Sequence, residues 1–266
     1  MAEACEFLTT RRIAVVTGGN KGIGLEICRQ LASEGVKVVL TARDERRGLE
    51  AVEKLIKESD VSDNVVFHRL DVTDPVTIAS LASYVKTHFG KLDILVNNAA
   101  IPGIIMNYDN LSKAVEQSGD WLSDSARIIN VSSYLGSLKL ISNEWAKGVL
   151  SDIDNLTEER IAEVLNEFLK DFKEGGLKTK GWPTYIGATA YSVTKAAMNA
   201  YSRILAKNNP GFCVTCAAPG FVKTDITGNN GMLTAAEGAE NVVRLAFLSN
   251  AESSGLFFNC KEVADF

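Results

Sequence analysis

The chain has 266 residues, 46% hydrophobic and 23% charged, with a formal net charge of −5. That length and apolar content suit one large α/β domain spanning 1–266, and the acidic balance offers no positive field to nucleic acid or an anionic membrane surface. Residues 1–10 hold no apolar run long enough for a signal peptide, and no stretch reaches the ~20 apolar residues of a membrane span, so a cytoplasmic location is expected.

The predicted elements begin with a strand over Ile13–Val16, apolar throughout and so buried on both faces. It runs into Thr17-Gly18-Gly19-Asn20-Lys21-Gly22-Ile23-Gly24 and then an amphipathic helix to about Ser33, stopped near Gly35. Strand, glycine turn and helix in that order form a dinucleotide-binding pattern. Gly18 supplies the positive φ of a sharp turn, Gly22 admits a ligand close to the backbone, and Gly24 lets the helix approach its strand. A pyrophosphate is the expected ligand, since free N–H groups and the positive helix end converge there.

Val36–Thr41 is the second predicted strand, and it closes on Ala42-Arg43. An acid at this point grips the ribose hydroxyls of NAD, whereas arginine accommodates the additional phosphate of NADP. Arg43, with Lys21 adding positive charge in the glycine loop, therefore favours NADP. Asp44 follows at once, and an Arg43–Asp44 surface pair is the competing reading.

A helix over Leu49–Ile56, a third strand over Val65–Leu70 ending at Asp71-Val72, and a helix opened by Thr73-Asp74-Pro75 come next. Leu92–Ala100 is the fourth strand, carrying Asn97, Asn98 and Ala99. Arg127–Ser133 is the fifth, ending in two serines at the carboxyl edge where open α/β sheets place ligands. Residues 142–186 read as a helical insertion, with Asn155-Leu-Thr-Glu158 as a capping box and one apolar stripe from Ile161 to Phe172. Tyr191 and Lys195 open the following helix four residues apart and so share a face. A strand over Phe212–Ala218, the loop Pro219-Gly220-Phe221-Val222-Lys223-Thr224-Asp225, a helix capped by Thr234 and Glu237, and a last strand over Leu256–Phe258 complete the chain.

Five cysteines, an odd number, argue against a disulfide framework. Cys213 and Cys216 are spaced Cys-x-x-Cys but fall on a predicted strand, where residues three apart point to opposite faces. With only His68 and His88 as histidines, buried thiols are expected rather than zinc ligands.

Together the glycine loop, Asn97-Asn98-Ala99, Ser132-Ser133, Tyr191-x-x-x-Lys195 and Pro219-Gly220 resemble the short-chain dehydrogenase/reductase family over nearly the whole chain. The runs 41–44, 143–148, 155–160 and 219–225 are most similar to its monomeric plant branch and to animal carbonyl reductases. The resemblance implies a Rossmann-like, doubly wound parallel sheet and a monomer whose insertion covers outer helices. It also implies NADPH-dependent reduction of a small apolar ketone or aldehyde, terpenoids included, or alcohol oxidation in reverse. Carried over residue by residue, Tyr191 donates the proton, Lys195 tunes it and holds the nicotinamide ribose, and Ser133 bonds the substrate oxygen. Thr17, Gly18, Asn20, Lys21, Gly22, Ile23, Gly24 and Arg43 hold the phosphates and adenosine ribose. Asp71 and Val72 meet the adenine, although Asp71 is equally suited to capping a turn. Asn97 steadies the sheet beside the cofactor, Ala99 leaves room for the ribose, and Pro219, Gly220, Val222 and Thr224 reach the nicotinamide end.

The resemblance breaks between the fourth and fifth strands, where only residues 101–126 stand. The family carries a long helix there, with an asparagine that helps hold the active-site lysine through water. Leu111–Gln117 offers at most a short helix, and Asn107 and Asn110 lie in the wrong context to replace that asparagine. A shortened crossover of this kind is geometrically allowed. It predicts a chain that keeps the cofactor motif but folds less stably and turns over poorly, or a silent NADP-binding protein.

Overall fold

The computed structural model describes residues 11–100, 122–184, 188–248 and 253–266. The segment Leu111–Gln117, Asn107, Asn110 and residues 1–10 lie outside the described residues. Eight strands form one sheet in the order β3-β2-β1-β4-β5-β6-β7-β8: β1 Ile13–Val16, β2 Lys37–Ala42, β3 Val65–Arg69, β4 Leu92–Asn97, β5 Leu122–Val131, β6 Cys213–Ala218, β7 Phe257–Asn259 and β8 Glu262–Ala264. The first seven run parallel and β8 is antiparallel to β7. Strand order reverses between β1 and β4, where a doubly wound sheet opens its ligand crevice at the carboxyl ends of the strands.

Alternate residues of the strands feed two separate cores. Ile13 and Val15 join the layer of α3 (Pro75–Phe89), α4 (Glu144–Ser151), α5 (Glu158–Lys173) and α6 (Thr189–Asn208). Ala14 and Val16 join the opposite layer, made by α1 (Gly22–Ser33), α2 (Glu45–Glu58) and α7 (Ala235–Val243). Helix starts follow from local chemistry: Asp44, Asp74, Asn143, Thr157 and Thr234 each accept a hydrogen bond from a first-turn N–H.

Three boundaries differ from the sequence reading. The insertion holds two helices, and the second is capped by Thr157 rather than Asn155, whose amide instead bonds Asp152. β5 starts at Leu122, five residues before Arg127, and a register irregularity opposite Leu92–Ile94 lies between the two. The short β8 has no apolar alternation to announce it; it folds back from β7 through Cys260, at φ 53°. The described cysteines are free thiols, with Cys28, Cys213 and Cys216 buried.

Candidate active site

The glycine loop is built by close approach. Gly18 stands at φ 64° and Gly22 at φ 56°. A Cβ on Gly24 would lie 2.3 Å from the carbonyl oxygen of Gly18 and 2.5 Å from Asn98 Nδ2, so only glycine lets α1 begin this near the turn. Thr17, buried, locks the loop to the end of β4: its Oγ1 accepts from the N–H groups of Asn98 and Ala99, each at 2.9 Å. Asn98 Nδ2 donates in return to the Thr17 carbonyl at 3.0 Å. Lys21, the residue before α1, gives it no side-chain cap, and no acid stands in the first turn. Five other helices spend a side chain on that task, so the free N–H groups and uncompensated positive end of α1 suit a pyrophosphate. Asn20 and Ile23 sit half-buried in this loop, Ile23 leaning on the α1 layer.

At the end of β2, Asp44 caps α2 rather than pairing with Arg43. Both Asp44 oxygens are engaged by Arg47, Oδ1 by its backbone N–H at 3.0 Å and Oδ2 by its guanidinium at 3.9 Å. Arg43 is exposed and makes no ion pair among the described residues, which leaves a guanidinium open to a phosphate where NAD specificity would need an acid. Asp71 does cap a turn, its Oδ1 accepting from Thr73 N–H at 3.0 Å and Oγ1 at 2.7 Å. Those bonds hold its carboxyl below the usual range. Val72 packs half-buried on the core beneath.

Tyr191, Lys195 and Ser133 come together at the carboxyl end of β5. Tyr191 and Lys195 face one way from the first turns of α6, with Lys195 Nζ 5.6 Å from the centre of the phenol ring. Ser133 hydrogen-bonds the Tyr191 hydroxyl, a contact that lowers the phenol pKa against the larger upward push of burial. Lys195 is only 5% exposed, and burial lowers its pKa to about 8. Its ammonium donates to the carbonyl of Val131 at 2.6 Å. Ser132 turns away from the crevice into the protein, leaving Ser133 as the serine that meets the tyrosine. Behind them Asn97 Nδ2 donates to Asn130 Oδ1 at 2.7 Å, and Asn130 Nδ2 donates to Ser202 Oγ at 2.7 Å, tying β4 through β5 to α6. Sequence reasoning missed Asn130 and Ser202, which belong to no local pattern. Among the described residues Asn97 Oδ1 is buried without a partner, an acceptor at the floor of the crevice.

The loop after β6 forms the opposite lip. Gly220 stands at φ 95°, and the Pro219 carbonyl accepts from Asn241 Nδ2 at 3.0 Å. Val222 is buried, its side chain lying close beside Gly238 of α7. Thr224 lies over Gly22, its Cγ2 being the nearest atom, at 3.5 Å, to a Cβ placed on that glycine. Lys21, in the glycine loop, forms an ion pair with Asp225 that joins the two lips.

Residues 12–120 match the family described as short chain dehydrogenase. The chain is similar to (+)-neomenthol dehydrogenase of Arabidopsis thaliana, 51% identical over 294 aligned residues that cover 97% of this chain and 99% of that one. It is similar to carbonyl reductase [NADPH] 1 of Bos taurus, at 34% identity with 96% and 98% covered. The solved structure of salutaridine reductase from Papaver somniferum superposes with a TM-score of 0.83 at 46% identity, covering 94% of this chain and 100% of that one. The alignment with the Arabidopsis protein is longer than the 266 residues present here, so that relative holds residues for which this chain has no counterpart.

Proposed function

The chain belongs to the short-chain dehydrogenase/reductase family of oxidoreductases, and from that premise we propose that it reduces a small apolar ketone or aldehyde with NADPH, oxidising the alcohol in reverse. NADPH bound in the crevice supplies the hydride. The observation that carries the proposal is the meeting of Ser133 and Lys195 at the Tyr191 phenol. Ser133 Oγ holds the carbonyl oxygen, and the Tyr191 hydroxyl gives its proton to that oxygen as negative charge develops there. The Lys195 ammonium offsets the phenolate left behind. Thr17, Gly18, Gly22 and Gly24 shape the pyrophosphate cradle, with Asn20 and Ile23 in its wall. Arg43 takes the 2′-phosphate, and Asp71 and Val72 border the adenine. Asn97 and Ala99 floor the ribose pocket, and Pro219, Gly220, Val222 and Thr224 close over the nicotinamide end. Phe221, Ile226 and Met232 are exposed on that same lip, an apolar rim suited to a hydrocarbon-rich substrate such as a terpenoid.

NADPH consumption with menthone-like ketones and simple aldehydes tests the proposal, and Tyr191→Phe is expected to lower kcat by about 10²–10⁴-fold without weakening NADPH binding. Turnover unaffected by that change would overturn it. Arg43→Asp is expected to weaken NADPH binding by about 10–100-fold relative to NADH in a fluorescence titration, the loss of one charge-assisted phosphate contact. An unchanged ratio would remove Arg43 from the phosphate site.

A second reading, an NADP-binding chain impaired in catalysis, is favoured by one observation: only residues 98–121 join the end of β4 at Asn97 to the start of β5 at Leu122, where the family resemblance implies a longer segment with a lysine-holding asparagine. Lys195 leans on the Val131 carbonyl instead. We also read the chain as a monomer, because apolar residues of α4 and α5, among them Val149, Leu150, Val164 and Phe168, pack into the layer of α6 and cover it.

A further inference from the structure

Asn199 has no part in the chemistry described so far, yet it is among the most enclosed polar side chains of α6, 2% exposed. It stands one helical turn beyond Lys195 and two beyond Tyr191, on the face those residues share. A carboxamide at this depth is costly unless both of its ends are bonded. Ser132 Oγ donates to its Oδ1 at 2.5 Å, and its Nδ2 donates to the Gly136 carbonyl at 3.3 Å.

Those two partners lie on either side of Ser133. Ser133 opens the tight turn Tyr134–Gly136 and is itself held there by accepting from the Leu135 N–H at 3.2 Å. The turn rests directly on α6, since a Cβ on Gly136 would fall 2.8 Å from the Lys195 backbone and from its Cβ. One amide therefore straddles the segment that carries Ser133 and fastens it to the helix that carries Tyr191 and Lys195. The plainer task, joining the sheet to α6, is already done by the Asn130–Ser202 bond.

We infer that Asn199 is a positioning residue for proton transfer: through Ser132 and the Gly136 carbonyl it sets the Ser133 hydroxyl against the Tyr191 phenol. The inference rests on Ser133 and Tyr191 being the pair that handles the substrate oxygen, as proposed above. It also separates the two adjacent serines by task, Ser132 as a tether and Ser133 as the substrate contact.

A double-mutant cycle between Asn199→Ala and Ser133→Ala tests it. Asn199→Ala is expected to lower kcat by about tenfold while the Kd for NADPH stays within about twofold. In the Ser133→Ala background the same change is expected to cost less than about twofold, because the group it positions is gone. Ser132→Ala, which removes one hydroxyl and one of the two tethers, is expected to give a smaller loss of the same kind and serves if Asn199→Ala does not fold. A readout independent of turnover is the NMR resonance of [13Cζ]tyrosine at position 191, identified by its disappearance in Tyr191→Phe. Ser133→Ala is expected to shift it, and Asn199→Ala or Ser132→Ala to shift it in the same direction. Losses in kcat that multiply in the double variant, or a Tyr191 resonance that moves with Ser133→Ala but with neither tether variant, would overturn the positioning role. Absence of turnover in every form, wild type included, would count against the proposed reaction alone, and the resonance would still decide the placement.

Discussion

Burial of Lys195 ties stability to pH in a direction opposite to that of a paired surface lysine. In the unfolded chain the ammonium keeps its proton up to its ordinary 10.5, whereas in the fold it keeps it only up to about 8. Between those values the unfolded chain binds more protons, so this residue makes stability rise with pH; the cost of enclosing the charge is full below about pH 8 and fades above it. In urea unfolding of the cofactor-free protein, the wild type is expected to gain about 1–2 kcal/mol on Lys195→Met between about pH 7.5 and pH 9.5. A difference that stays constant over that range would mean that the lysine titrates normally. At this scale the sequence was informative where the chemistry is local. Tyr191 and Lys195 had to share a face because they are four apart on a helix, and Asp71 was open to reading as a turn cap, whereas the cap made by Asp44 was not read from the sequence. What stayed hidden depends on partners far away in the chain: Lys21 meets Asp225 204 positions later, and Asn130 meets Ser202 72 positions later. No pattern of neighbours announces such pairs.

Among elements, the joint between β1, the glycine turn and α1 sets how the crevice opens, and its tolerance is small. Gly24 occupies space that the Gly18 carbonyl and the Asn98 amide leave to a hydrogen atom. Both obstacles are fixed, one being backbone and the other the amide that holds β4 to the loop. Gly24→Ala is therefore expected to cost about 1–3 kcal/mol of stability and to weaken NADPH binding, measured by thermal melts and fluorescence titration. Gly148→Ala in α4 is the control. A Cβ there meets nothing within 4 Å, and the change is expected to stabilise by up to about 1 kcal/mol. Equal effects of the two substitutions would show that packing at the turn does not govern the site. The roles of Gly18 and Gly24 were readable from spacing alone because backbone conformation and close approach are what glycine spacing encodes. Element ends were less readable where tertiary pairing overrides local signals. β5 begins at Leu122 because that residue pairs with Leu92 and leans on the core, although polar residues separate it from the apolar run. The second insertion helix starts where Thr157, rather than Asn155, finds a first-turn N–H to accept from.

For the whole molecule, the decisive feature is the crossover from β4 to β5. The sheet is continuous from β3 through β8, and the strands on both sides of the crossover carry site residues, Asn97 on one and Ser133 just beyond the other. The crossover thus joins two strands that both carry site residues. What a longer crossover would add is an apolar helix over the α3–α6 layer and an asparagine near Lys195, which separates a stability effect from a catalytic one. Replacing residues 98–121 with the longer segment of a relative is expected to raise Tm by about 5–10 °C, equivalent to a few kcal/mol in a domain of this size. It is also expected to raise kcat for carbonyl reduction, with the Kd for NADPH changing less than about threefold because Thr17, Gly18, Gly24 and Arg43 are untouched. Light scattering on both proteins should return the mass of a single chain, since α4 and α5 cover α6 in either form. If the lengthened protein melts and turns over like the original, the short crossover is a complete solution for this fold, and Lys195 works with the Val131 carbonyl as its sole fixed partner.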